Sequence, residues 1–314
     1  MLVTVSAPGK IFLMGEHAVV YGKPALLSCI NKRVTVTVRK SSVQTLISSD
    51  DPDFINQILR IVKNHYQIKN FPSLHITVSS RIKSGYHLGS SASVSAATVA
   101  ALLFFLKKIW NLQTVNKLSF EAEKIKHGTP SGADNSAVTF GGFVWFRYEL
   151  DFLKNIWQIP VKVSEKLDHF YLVDTGKPEE STKEMVSKVA QLYQINRRKF
   201  EQLLATNEQA TRKIAQALKN EDNQSLINSI KAGQSTLEQM GVVSGKVIPF
   251  IRDFEASLGA AKILGGGGQK GGVGYLLCFH PDKEVVKKIS SKFAWDLESV
   301  TLGQEGLKLE KENE

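Results

Sequence analysis

The sequence predicts a two-lobed α+β fold from three observations. The chain has 314 residues. Strand-like segments crowd its first third while its second half is mainly helical by pattern. Neither a low-complexity linker nor a fixed-period repeat divides it. That length favours two lobes of ordinary size, and the missing linker means they should pack tightly. A boundary near residue 160 gives lobes 1–160 and 161–314.

The elements follow in order. Leu2–Ser6, Ile11–Met14, the alternating Arg33–Arg39 and Leu74–Ser79 read as strands. The period then changes: a long apolar helix is expected from Ser91 to about Trp110, and a second from Ser119 to His127, stopped by Gly128. Val138–Arg147 reads as a strand interrupted by Gly141 and Gly142, and His169–Val173 as the strand that opens the second lobe. Helices are expected near 181–194, 197–219, 222–240 and 245–258, then a glycine-rich turn, a strand at Tyr275–Phe279 and a helix from about 282. The charged tail Glu305–Glu314 reads as frayed.

Composition narrows the function. Hydrophobic content of 42% and charged content of 22% suit a soluble globular chain. The longest apolar run, Val99–Leu106, is too short to cross a bilayer, and no secretory signal is evident, so cytoplasmic residence is expected. Cys29 and Cys278 are far apart without a C-x-x-C pair, which fits core packing and argues against a disulfide framework or a zinc site. A net charge of +10 suits an anionic partner. The basic residues are dispersed and carry no interleaved aromatics, which argues against nucleic acid.

Three segments carry the chemistry. Gly128-Thr-Pro-Ser-Gly-Ala-Asp134-Asn135 holds one carboxylate in a stiff frame, because Pro130 fixes its own φ and Gly132 opens angles closed to other residues. A carboxylate held in this way suits positioning a hydroxyl. In Gly85-Tyr-His-Leu88-Gly89-Ser90-Ser91-Ala92, the glycines let the backbone bend around a ligand where a long helix begins. Free amides and the positive helix end converge there, an arrangement that binds phosphate. A serine hydroxyl at that point can ligate Mg2+. Glu123 would share the ion with Ser91 if their helices face one another. In the first segment, Lys10 follows Pro8-Gly9, and Glu16 and His17 follow Gly15. Lys10 near Asp134 would stabilise an incipient alkoxide, while Glu16 and His17 have the reach to grip a small hydroxylated substrate. No Walker motif is present, and Gly266–Gly271 matches G-x-G-x-x-G only inside a glycine-dense run.

These residues resemble the GHMP kinase family. Gly15-Glu-His-Ala-Val-Val-Tyr-Gly22 and His127–Asn135 are similar to the signatures of its mevalonate-phosphorylating branch, and Lys262–Gly272 stands where a third signature belongs. The resemblance implies an active site between the lobes and transfer of the ATP γ-phosphoryl group to the C5 hydroxyl of mevalonate. It implies Asp134 and Lys10 as catalytic, Ser91 and Glu123 as Mg2+ ligands, and Gly85, Leu88, Gly89, Ser90, Ser91 and Ala92 as the ATP phosphate loop. Lys10, Glu16, His17 and Asp134 would contact substrate, in an assembly that is commonly a homodimer. Other readings left open are a related kinase for a sugar or phosphomevalonate, and a noncatalytic nucleotide- or nucleic-acid-binding protein. The phosphate loop departs from the family pattern P-x-G-A-G-L-G-S-S-A, with Lys83 for proline and His87 for the second glycine. A positive φ at residue 87 would strain histidine and shift the path of the loop; alternatively, Lys83 and His87 would add positive character beside the phosphates.

Overall fold

The computed structural model describes residues 2–128, 130–150 and 153–313; Thr129 of the segment that carries Asp134 lies outside the described residues. β1 (Leu2–Met14) and β2 (Ala25–Lys40) form a long antiparallel pair. The pairing slips at Pro8/Gly9, the irregular place where a sheet tolerates proline. β3 (Leu46–Ser48), β4 (Leu74–Ser80), β5 (Phe143–Leu150), β6 (Leu153–Ile159) and β11 (Lys308–Asn313) complete a seven-stranded sheet among the described residues. Its main path runs β11-β1-β2-β4-β3, and β5 joins β2 to β6.

A second, four-stranded sheet has the order β10-β7-β9-β8, from β7 (Phe170–Asp174), β8 (Ala260–Ile263), β9 (Tyr275–Phe279) and β10 (Leu297–Val300). Chain order near residue 160 thus separates β1–β6 from β7–β10, whereas β11 returns to the first sheet. The expected frayed tail is therefore corrected: residues 308–313 pair with Leu2–Ser6, and Ser6 Oγ donates to Glu310 Oε1 at 2.6 Å.

Among the described residues the α-helices of the first half are α1 (Pro52–His65), α2 (Ser90–Lys107), α3 (Leu112–His127) and α4 (Ala133–Phe140). α2 is apolar on every side and packs against β1, β2, α1, α3 and α4. It is long and apolar enough to span a membrane by composition, a feature it shares with central helices that a core surrounds. The expected strand at Val138–Arg147 is also corrected, since residues up to Phe140 are helical and the strand begins at Phe143. Gly132 and Gly141 bound that short helix, and its buried Ala133 and Ala137 pack with Phe12, Leu27 and Cys29, so tertiary contacts override the β preference of Val138 and Thr139.

In the second half stand α5 (Thr182–Ile195), α6 (Arg197–Asn220), α7 (Asn223–Gln239), α8 (Ile248–Ala256) and α9 (Lys283–Lys292), close to the ranges the sequence predicts. One apolar cluster includes Met14 and Leu26 of the first sheet, Ile214 of α6, and Leu172 and Leu277 of the second sheet. The halves thus share a core, in keeping with the missing linker. Cys29 and Cys278 are both free and buried.

Candidate active site

β1 delivers Lys10 to the centre of the site. The Lys10 N–H donates to the Leu88 carbonyl at 2.9 Å, which fixes the strand against the phosphate loop. Its side chain is 2% exposed and lies over the Phe12 ring, 4.5 Å from the centroid. The ammonium reaches Asp134 Oδ2 at 3.0 Å and the His87 carbonyl at 3.4 Å. Gly89, at φ 74, lets the lysine stem pass, because a Cβ there would stand 2.8 Å from Lys10 Cγ.

Asp134 occupies the first turn of α4 behind Gly132, whose φ of 87 suits glycine alone. The helix N-terminus favours its negative charge. The carboxylate is 38% exposed, so it is fixed by its frame yet open to a ligand.

At the start of α2, Ser91 Oγ donates to Glu123 Oε1 at 2.5 Å, so α2 and α3 do face one another there. His127, one turn further along α3, lies 3.3 Å from Ser91 Oγ and 3.6 Å from Glu123 Oε2. Burial raises the Glu123 pKa to about 7, the Ser91 hydroxyl opposes that shift, and the negative charge of Asp134 adds to it. Leu88 and Ala92 are buried, and Ser90 opens the helix beside them. Among the described residues no group of three or more His, Cys, Asp or Glu forms a metal cage. A hydroxyl and a desolvated carboxylate beside a second carboxylate nevertheless fit Mg2+, which takes few protein oxygens and completes its shell with phosphate and water.

Glu123 yields a pH prediction. Its folded pKa, about 7, exceeds the ordinary carboxyl value of 4.5, so its contribution to stability is present below pH 4.5 and lost as pH rises through 7. Glu123→Gln removes that loss, worth about 2–3 kcal/mol. Metal-free protein should therefore show a variant-minus-wild-type Tm difference that grows from pH 5 to pH 8. A difference independent of pH would contradict the buried, proton-hungry carboxyl.

Glu16 and His17 sit deeper than the sequence implies, at 3% and 5% exposure. Glu16 Oε1 pairs with Lys262 of β8, whose ammonium also donates to the carbonyls of Phe12 and Ile263. Burial raises the Glu16 pKa and lowers that of Lys262, each opposed by the other's charge. His17, at φ 58, approaches the Gly266 carbonyl at 3.2 Å, and burial lowers its pKa to about 4. Glu16 Oε2 and His17 Nδ1 are buried without a hydrogen-bond partner.

Lys262 is the main residue the sequence reading left without a role. Its only local signal is its place just before the glycine run. The expectation that Lys83 and His87 add positive character is corrected. Lys83 is neutralised by Asp174 at 2.5 Å, and burial lowers the His87 pKa to about 4, leaving the ring neutral. The expected positive φ at His87 is present, at 62.

Residues 53–142 match the GHMP kinases N terminal domain. The mevalonate kinase of Archaeoglobus fulgidus is 31% identical over 269 residues, covering 84% of this chain and 88% of its own. The chain belongs to the GHMP kinase family. It is an enzyme of the kinase class with ATP as co-substrate. The fold of this GHMP kinase is similar to that of L. major mevalonate kinase in complex with R-mevalonate, with a TM-score of 0.80 at 21% identity over 96% of each chain. It is similar also to Streptococcus pneumoniae phosphomevalonate kinase, with a TM-score of 0.79 at 17% identity over 96% of this chain and 99% of that one. Fold likeness of this degree does not separate the two acceptors.

Proposed function

We propose that this GHMP kinase transfers the γ-phosphoryl group of ATP to the C5 hydroxyl of mevalonate. The observation that carries the reading is the Lys10–Asp134 pair, at 3.0 Å, set beside the phosphate-type start of α2. The likeness to a mevalonate kinase over 84% of the chain supports the choice of acceptor.

In this mechanism Asp134 orients the acceptor hydroxyl and takes its proton, while Lys10 stabilises the negative charge that develops on the attacking oxygen. The amides from Gly89 to Ala92 and the α2 N-terminus hold the nucleotide phosphates. Ser91 and Glu123 would hold Mg2+, which supplies charge neutralisation across the outer phosphates. Glu16 Oε2 and His17 Nδ1, buried without partners, would bind the acceptor's polar groups. The chemistry asks mainly for positioning and electrostatics, which a preset ion pair provides.

ADP release should be strong with R-mevalonate and Mg-ATP, and near background with phosphomevalonate or galactose. Preference for either of those two would move the chain to another acceptor. Salt-sensitive RNA binding without ATP turnover would favour the noncatalytic reading. We extend the proposal to a cytoplasmic homodimer. A solution mass near the monomer's 34.8 kDa, or recovery with membranes, would overturn that extension.

A further inference from the structure

The phosphate loop differs from the family pattern at Lys83, Tyr86 and His87, and each of these side chains touches the second lobe. Lys83 pairs with Asp174 at the end of β7, 2.5 Å away, and lies 5.3 Å from the Tyr86 ring centroid and 5.6 Å from that of Tyr275 in β9. Tyr86 packs on Tyr275 with centroids 5.3 Å apart. His87 enters a slot in the glycine-rich turn after β8. A Cβ on Gly265 would stand 2.6 Å from His87 Cβ and 2.8 Å from its Cγ, and one on Gly274 would meet Cδ2 at 3.6 Å.

Backbone and side chain at His87 pull in opposite directions. Its φ of 62 is a conformation in which glycine is relaxed and histidine is strained. Such strain persists where the surroundings over-determine it. Here the slot does so, since the His87 side chain lies against Gly265 from its Cβ outward. The His87 carbonyl in turn accepts from Lys10 Nζ at 3.4 Å, a backbone contact that glycine at 87 would keep.

We propose that Lys83, Tyr86 and His87 form an inter-lobe clamp that sets the phosphate loop before nucleotide binds, with His87 as its positioning residue. Glycine at 87 leaves the loop free to pay its ordering entropy on binding ATP, whereas the clamped loop has already lost that freedom. The Lys83 head is half exposed, so its ion pair contributes less than the packed rings and the lodged imidazole. This inference rests on the kinase reading for its kinetic consequences and is independent of which alcohol accepts the phosphoryl group.

The test uses the full chain and His87→Gly, a change that relieves the backbone. Two results are expected: amide hydrogen exchange across residues 84–92 quickens in the nucleotide-free variant, and KM for ATP rises about tenfold while kcat at saturation and KM for the acceptor stay within about twofold. Lys83→Ala should raise KM for ATP by a smaller factor, and Lys83→Arg should restore it. Unchanged loop exchange in His87→Gly overturns the clamp even if the wild type turns over no ATP, an outcome that would separately end the kinase reading. Unchanged KM for ATP in an active enzyme overturns it as well, as does a fall in Tm with kcat and both KM values altered together, the mark of a merely structural residue.

Discussion

Asp134→Asn is expected to lower kcat for the acceptor alcohol by about 10²–10⁴-fold, the range for loss of a positioned acid–base group. KM for ATP should hardly move, because the nucleotide is held by the α2 start and the loop around it. Tm should fall little. The carboxylate is 38% exposed, so its attraction to Lys10 is partly screened, and asparagine preserves the side chain's shape within the Gly132 frame. Lys10→Met is a companion with a different balance. It removes a nearly buried cation and leaves behind a carboxylate that water can reach, so the fold should survive while turnover falls about 10²–10³-fold. Steady-state kinetics with a thermal melt on each variant reads both quantities. Either variant retaining wild-type turnover would remove the pair from the mechanism.

Lys262→Met is expected to have the largest effect on stability. Glu16 is 3% exposed, and its ion-pair partner Lys262 lies across the lobe boundary. Removing one member of such a pair strands a buried charge, at a cost of about 3–5 kcal/mol, or on the order of 10 °C in Tm for a chain of this size. The sign of the pH dependence follows from Glu16, whose folded pKa is already raised by burial and would rise further without the ammonium. A carboxyl of that kind contributes stability below its unfolded pKa and loses it as pH climbs through the folded one, so the deficit should widen from pH 5 to pH 8. Glu16→Gln combined with Lys262→Met should recover much of the loss, because no unpaired charge remains. Melts of the wild type and the two variants at both pH values decide it. A single variant as stable as wild type would mean that the pair holds nothing together.

How far the sequence could be read depended on how local each interaction is. The helices of the second half were legible from apolar periodicity, and the strand Tyr275–Phe279 was placed residue for residue. Helix α1 lies outside the elements the sequence predicts, although Asp51 caps it and Pro52 stands in its first turn. The strand reading of Val138–Arg147 failed for another reason. Val138 and Thr139 favour strands on their own, and only the small buried faces of Ala133 and Ala137 against their neighbours make a helix there. The tail resembled a solvated charge run because its partner, β1, lies at the opposite end of the chain.

Within the site, the sequence alone determined which residue types stand where a kinase needs them. Glycines occupy the positive-φ turns, serines open the apolar helix, and a carboxylate follows a rigid turn. Such requirements act within a few residues, so a linear string records them. Tertiary structure alone decided which groups meet: Lys10 with Asp134, Ser91 with Glu123, Glu16 with Lys262, and His87 with the glycine turn. These partners lie tens to hundreds of residues apart, and whether a buried charge finds its counter-charge depends on how the two sheets and their shared core pack, which no local pattern encodes.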